Sequence, residues 1–319
     1  MSSFFSEVLA TLVRWCVRNE WGPLDTGQPV QRLNEYLRDR PRQRVAETRF
    51  GARFELDTQD LIQRYLYLFG VWEPHMAHWL KSRLRPGDVL VDVGANIGEF
   101  SILGSQLVGS REQVVAIEAS PTFHRRLLQN AALNDCVNIR AVNVAVSEQR
   151  QKLTFVLASS QNMGANSIVP YEGSVESTFE IEALPLAEIL KPDEVAKARV
   201  IKIDVEGAEG SVIRGLVTLL DVLPQDVEIA VEVTPERMVK LGDSVEELTA
   251  IMERHGFHPY RLPTDYTEAG YLKAIRHPVA LDSADRRRDA ADLLARRCRR
   301  AALKGTHRLP PPKAMATPG

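Results

Sequence analysis

Cysteine is scarce: Cys16, Cys136 and Cys298 are the three in 319 residues, an odd number set far apart. They build no disulfide framework and fit a reducing compartment. No CxxC pair or His/Cys cluster is present to hold a structural zinc. An excess of one charge is lacking too. A formal net charge of −2 supplies no global basic field, so nucleic acid is not an expected partner. No apolar run approaches the length of a membrane span, and a cytoplasmic location is expected. The opening stretch MSSFFSEVLATLVRWCVRNEW has no basic start and is interrupted by Arg14, which argues against a signal peptide. Phe5, Val8, Leu9, Leu12 and Cys16 share one helical face there. That predicts a packed amphipathic helix, with a membrane-surface or partner-docking helix as the alternative.

What is present is ordinary in amount and informative in order. Hydrophobic residues make up 44% and charged residues 26%, the balance of a soluble globular chain with length for one large or two small domains. Residues 20–43 read as loop plus a short polar helix, 44–57 as two β-like pieces around Gly51, and 58–84 as helical. From residue 89 strands and helices alternate. Strands are predicted over 89–93, 113–119, 138–147, 198–207 and 227–233, with a strand pair at 152–157 and 178–184. Ser120 and Pro121 open a helix that ends near Asn134, and Ser244 to Glu247 form a capping box for one that stops at Gly256. YLKAIRH, 271–277, is expected as a last strand. The basic run RRRDAADLLARRCRRAALKG reads as a solvated helix and the final LPPPKAMATPG as disordered. Alternation with continuously apolar strands implies an α/β fold, a parallel sheet covered on both faces.

In such a sheet ligands lie beyond the carboxyl ends of the strands. The first such end is VLVDVGANIGEF, residues 89–100. A dinucleotide fold needs GxGxxG, but Asn96 stands two after Gly94 and the spacing is GxxxG. A phosphate-gripping GxxxxGK[ST] fails as well, because no lysine follows Gly98. S-adenosyl-L-methionine fits better. It carries no phosphate, and its ammonium and ribose diol call for acids. Asp92 sits where the strand meets the loop, and Glu118 ends the second strand, twenty residues past Gly98, where an acid can accept both ribose hydroxyls. VIKIDVEGAEG, 200–210, repeats the grammar with Asp204, Glu206 and Glu209 after an apolar strand. Asp204 and Glu206 alternate with Val205 and so project to one side of an extended chain.

VDVGANIGEFS, VVAIEASP, NVAVS and IKIDVEGAE, in this order, with GVWEP upstream, resemble the FkbM family of S-adenosylmethionine-dependent methyltransferases. The resemblance covers about residues 60–260 and not the flanks. It implies a class I methyltransferase fold, Rossmann-like, with a mostly parallel seven-stranded sheet of order 3-2-1-4-5-7-6. It also implies O-methylation of a hydroxyl on a sugar, polyketide or other small metabolite. Carried over by match, Asp92, Gly94, Ala95, Asn96 and Gly98 line the methionine end and Glu73 closes over it. Glu118 with Ala119 holds the ribose, Asn143, Val144 and Ala145 flank the adenine, and Asp204 and Glu206 sit at the transfer centre. The chain then divides into an N-terminal helical and hairpin extension, 1–84, a methyltransferase domain, 85–282, and a basic helix with disordered tail, 283–319.

A hydroxyl is a poor nucleophile, so a base that takes its proton is expected. Asp204 is the first candidate, Glu206 the second and Glu232, which ends VEIAVEV, the third. The same three could offer oxygens to a divalent metal, which is not favoured because no second acidic set has a diagnostic spacing. Of the seven histidines, His75 is the one beside the expected cofactor lid, and the polar loop 159–174 could cover the cleft. Two other readings stay open: a methyltransferase acting on nitrogen or a macromolecule, disfavoured by the lack of an Asn/Asp-Pro-Pro-aromatic tetrapeptide, and a non-catalytic docking module of nucleotide-binding fold.

Overall fold

The structure is a computed structural model that describes residues 2–19, 27–110, 113–157, 177–263, 265–279 and 292–297. Helix α1, Ser2–Arg18, forms where expected, but it packs by another face. Val8, Leu9, Leu12 and Trp15 are between 51% and 61% exposed, whereas Val17 is buried and Val13 and Cys16 pack against the core. Two arginines decide this. Arg14 Nε donates to the Tyr67 carbonyl at 2.8 Å and Arg18 Nη1 to that of Leu66 at 3.5 Å. Both carbonyls belong to the last turn of a helix, whose negative dipole end welcomes a cation, although that of Leu66 already accepts from Gly70 N–H at 2.9 Å.

Helix α2, Gln28–Asp39, buries Val30, Leu33 and Leu37, a three-four spacing that puts one stripe inward. Strands β1, Gln43–Glu47, and β2, Arg53–Asp57, pair antiparallel as the hairpin expected around Gly51. The helical stretch that follows is two helices, α3, Leu61–Phe69, and α4, Pro74–Arg83, separated at Gly70. Phe54, Leu66, Phe69 and Trp79 of this extension share one apolar cluster with Leu90, Ile102 and Leu103, so the extension packs on the sheet's own core.

The main sheet begins with β3, Val89–Val93, buried along its whole length. Helix α5, Glu99–Val108, strand β4, Val114–Ile117, helix α6, Pro121–Leu133, and strand β5, Ile139–Val142, follow. Ser120 caps α6 as its sequence predicts, its Oγ accepting from Phe123 N–H at 3.4 Å. The short β6, Ala145–Val146, and the antiparallel pair β7, Gln151–Leu157, and β8, Ser177–Leu184, form a small second sheet. Helices α7, Leu186–Ile189, and α8, Pro192–Ala196, lead back to β9, Ala198–Ile203. Then come α9, Glu209–Leu220, β10, Glu228–Glu232, α10, Pro235–Lys240, α11, Val245–Arg254, β11, Phe257–Leu262, α12, Glu268–Arg276, and β12, Asp292–Arg297.

The seven-stranded order is β11-β12-β10-β9-β3-β4-β5. Numbered within the sheet and read from the β5 edge, that is 3-2-1-4-5-7-6, the class I methyltransferase topology. All pairs are parallel except those of β12, which runs against both neighbours. Two expectations are corrected here. YLKAIRH is not the last strand: Thr267 Oγ1 accepts from Gly270 N–H, and Tyr271, Leu272 and Ala274 turn inward at helical spacing in α12. The last strand lies instead in the basic run read as a solvated helix, where Leu294 pairs with Ala230 on one side and Tyr260 on the other. The tail beyond residue 297 and the loop 159–174 lie outside the described residues. No helix among the described residues is long and apolar enough to cross a membrane.

Candidate active site

Parallel strands bring their carboxyl ends to one edge, and the loops after β3, β4 and β9 meet there. Gly94 is required at the first of these. Its φ is +78°, and a Cβ added to it would overlap the carbonyl oxygen of Asp204. The two strand ends are also tied directly, Asp204 N–H donating to the Val93 carbonyl at 3.0 Å. Gly98 opens α5 at φ +92°, and a Cβ there would press within 3.1 Å of Leu127 on α6. Gly98 and Ala95 shape the loop from beneath rather than facing the cleft.

The loop's amides are all spent within the protein. Gly94 and Ala95 N–H donate to the Ile117 carbonyl at 2.9 and 3.0 Å, Asn96 N–H to Glu118 Oε2 at 2.8 Å, Ile97 N–H to Asn96 Oδ1 at 2.8 Å, and Gly98 N–H to the Ala95 carbonyl at 2.9 Å. Five consecutive donors are therefore unavailable to a phosphate, which a phosphate nest would require. A ligand that meets this loop must suit carboxylates instead. Glu118 is the acid it holds. Its Oε1 accepts from Ser120 N–H at 2.7 Å, and burial pushes its carboxyl up to about 7, against the lowering effect of those two amide bonds. Asn143 Nδ2 donates to the carbonyls of Glu118 and Ala119, at 2.8 and 3.0 Å, so its side chain fixes the β4 turn from behind.

Glu118, Gly94, Asn96 and Ala119 line a cleft of about 700 Å³, open to solvent, together with Val144 and Ala145. Asp204 and Glu206 form its other wall. Ile62 of α3 and Leu153 and Phe155 of β7 close its apolar sides. Sequence patterns had no means of nominating those three, because they arrive from two elements, α3 and β7, outside the loops that carry the motifs.

Behind the wall lies a buried charge cluster. Lys202 Nζ donates to Asp204 Oδ2 at 3.0 Å and stands 5.0 Å from the Phe100 ring centroid. Burial opposes its charge, but Asp204, Asp92, Glu73 and Glu232 more than offset that and raise its pKa. Asp92, paired in register with Lys202, is buried below the loop and does not line the cleft. Its Oδ2 accepts from Ser101 Oγ at 2.5 Å, Oδ1 has no hydrogen-bond partner among the described residues, and burial raises its pKa. Glu206 is ion-paired with Arg237 of α10, and burial and the nearby Asp204 raise its pKa. Lys202 was legible as a lone cation inside an apolar strand, VIKI.

Glu73 and Glu232 meet at a second point. Tyr266 Oη donates to Glu73 Oε1 at 2.8 Å and lies 3.3 Å from Glu232 Oε1. Glu73 N–H donates to Tyr271 Oη at 2.7 Å, and Glu99 Oε1 accepts from Trp72 N–H at 2.8 Å. Glu99 is buried, which pushes its carboxyl well above the usual range, and its Oε2 has no hydrogen-bond partner among the described residues. Of four non-glycine residues at positive φ among the described residues, Glu73, Asn96 and Glu206 surround this edge of the sheet. Such backbone costs of order 1–3 kcal/mol each and tends to persist where a site demands it. His75 lies aside: its Nδ1 accepts from Val279 N–H at 3.1 Å, and burial lowers its pKa. No group of three metal-binding side chains is arranged around one point among the described residues.

The sequence matches the methyltransferase FkbM domain family over residues 92–259, from the end of β3 into β11. Hexuronic acid methyltransferase AglP of Haloferax volcanii is 28% identical over 205 residues, covering 63% of this chain and 80% of that protein. Methyltransferase sdnD of Sordaria araneosa is 29% identical over 165 residues, covering 42% of this chain and 62% of that protein. Among solved structures, methyltransferase FkbM from Methylobacillus flagellatus KT has a TM-score of 0.38 at 17% identity, covering 73% of this chain and 52% of that one. The family match spans more than half of the chain and contains every loop that builds the cleft, so the protein belongs to the FkbM family of methyltransferases.

Proposed function

We propose that the protein is an S-adenosyl-L-methionine-dependent O-methyltransferase acting on a hydroxyl of a small metabolite. The observation that carries this reading is the cleft itself: a loop with no amide to offer a phosphate, flanked by a buried carboxylate on one side and by Asp204 and Glu206, each paired with a cation, on the other. S-adenosyl-L-methionine supplies a methyl group on a sulfonium, a leaving group that needs no acid. Of the residues that line the cleft, Glu118 would hold the ribose hydroxyls, Gly94 and Asn96 the methionine end, and Val144 and Ala145 the adenine. Asn143 and Asp92 support these contacts from behind.

Asp204 orients the acceptor hydroxyl and receives its proton, which then passes to solvent. Lys202 holds Oδ2 of that carboxylate and leaves Oδ1 for the hydroxyl. Holding the reacting atoms in line can supply ~7–11 kcal/mol of the barrier, and a positioned base adds roughly 10²–10⁴-fold. Glu206 and Glu232 flank the acceptor side. The hexuronic acid named for one relative adds sugar acids to the acceptors worth screening.

Calorimetric titration with S-adenosylhomocysteine tests the reading. Wild type is expected to bind, and Glu118→Ala to bind about 100-fold more weakly, since two charge-assisted hydrogen bonds contribute roughly 3 kcal/mol together. No heat from the wild-type protein would remove the enzyme reading. Label from a radioactive methyl donor that appears only on amines or protein would remove the O-transfer part.

A further inference from the structure

We propose that Tyr266, backed by Trp72, is the platform of the acceptor subsite, and that it takes the C–H face of a neutral pyranose. This rests on the reading of Asp204 as the group that faces the reacting hydroxyl. The placement comes from register. Val231 of β10 is level with Ile203 of β9, so Glu232 stands one strand across from Asp204, about 4.8 Å away along the sheet. Leu262 of β11 is level with Glu232 through their shared partner Asp292 of β12, so the chain after Leu262 leaves the sheet at the same edge. Tyr266 follows, and its hydroxyl reaches both Glu232 at the end of β10 and Glu73. Asp204 and Glu206 wall the cleft for the methyl donor, and Glu232, the next strand end after Asp204, belongs to the corner that Tyr266 reaches.

The corner is built for a ring. One face of Tyr266 stacks on Trp72, centroids 5.4 Å apart and planes 23° from parallel. Trp72 is itself held edge-on by Tyr65 at 5.8 Å, and Tyr65 Oη donates to the Tyr266 carbonyl at 2.9 Å, which fixes the platform's height. Trp72 is 8% exposed and Tyr266 38%, so the tyrosine presents surface while the tryptophan only supports it. An aromatic face beside the Glu232 carboxylate suits a ligand with a flat apolar side and hydroxyl donors at its rim. Glu232, half-buried at that rim, opposes a ligand carboxylate, and Glu73, buried behind the Tyr266 hydroxyl, adds negative charge beneath it, which selects the neutral sugar over its uronic acid.

The test uses the full chain saturated with S-adenosylhomocysteine, with binding read by saturation-transfer NMR and calorimetry. The probes are methyl glucoside, methyl glucuronoside, sorbitol and phenol. Wild type is expected to bind the glucoside more tightly than the other three. Tyr266→Ala weakens the glucoside about tenfold, the equivalent of ~1.4 kcal/mol of stacking, Tyr266→Phe about threefold or less, and both keep S-adenosylhomocysteine affinity within about threefold. The proposal is overturned if wild type does not bind the glucoside, if the glucuronoside, sorbitol or phenol binds tighter, or if Tyr266→Ala binds the glucoside like wild type. It is overturned as well if Tyr266→Ala loses S-adenosylhomocysteine and glucoside in parallel, which would make the tyrosine a wall of the donor pocket. Absence of S-adenosylhomocysteine binding by wild type is a separate result that sinks the methyl-transfer reading first.

Discussion

Two carboxylates face one cleft from strand ends two places apart, and they are held in opposite ways. Glu118, after β4, is gripped by the backbone N–H groups of Asn96 and Ser120. Asp204, after β9, is held by the ammonium of Lys202, and its neighbour Glu206 by the guanidinium of Arg237. Backbone amides cannot swing away, so Glu118 is presented in one geometry, and because they are neutral its charge stays costly. Side-chain cations cancel charge but can exchange partners. The β4 side is thus suited to recognising an invariant ligand, and the β9 side to a group whose proton and partner change during a reaction.

The largest effect should come from Gly94, the point where the two sides touch. Gly94→Ala would place a methyl group on the Asp204 carbonyl and force a residue with a Cβ to φ +78°. The strand ends must part, so S-adenosylhomocysteine affinity and turnover should fall together by more than about 100-fold, with the left-handed backbone adding roughly 1–3 kcal/mol of lost stability. Calorimetry, a methyl-transfer assay and a thermal melt read the three quantities. If affinity and turnover both survive, the two sides are independent and the coupling is wrong.

Asp204→Asn comes next and should separate what Gly94→Ala joins. The amide keeps the shape and loses the base, so kcat should drop by about 10²–10⁴ while S-adenosylhomocysteine binding changes by less than about threefold. An equal loss in both would mean that Asp204 belongs to the donor-binding side, and the contrast drawn between the strands would fail.

The halves also differ in how far they were legible in sequence. The β3 and β9 motifs are local: an apolar run, a glycine turn and acids at the end state strand, loop and ligand side within about ten residues. The 43–57 hairpin and the Ser120 cap are local in the same sense. The corner around Tyr266 is not. Its hydroxyl meets Glu73 across 193 residues, and no spacing rule connects them. The face of α1 that packs is settled by Arg14 reaching a carbonyl 53 residues on, while Val8, Leu9 and Leu12 of the apolar stripe read from sequence point outward and only Cys16 of its described side chains packs inward. Strand β12 is masked by its basic flanks, because its pairing is dictated by open edges on β10 and β11 rather than by its own pattern.

The smallest effect is a pH dependence, and it sharpens the comparison because it depends on Glu118 being held by neutral donors. Burial lifts its carboxyl from an ordinary 4.5 to about 7. Near pH 6 it is mostly protonated and near pH 8 mostly ionised, and the ionised form is the stronger acceptor for ribose hydroxyls. S-adenosylhomocysteine should therefore bind up to about tenfold tighter at pH 8 than at pH 6. The stability of the ligand-free protein should move the other way. A carboxyl with a raised folded pKa leaves the native state holding more protons than the unfolded chain between 4.5 and about 7, so its contribution falls as pH rises through that window and is level above it. Glu206 and Glu209 are pushed up to about 7 by burial as well, and Asp92 and Asp204 lie close enough to raise Glu118 further. Glu118→Gln isolates the one group: it should flatten most of the affinity change and leave the slope owed to the β9 acids. A wild-type affinity that stays level from pH 6 to pH 8 would mean that Glu118 is already charged in the free protein, and the cost assigned to holding it with amides alone would be wrong.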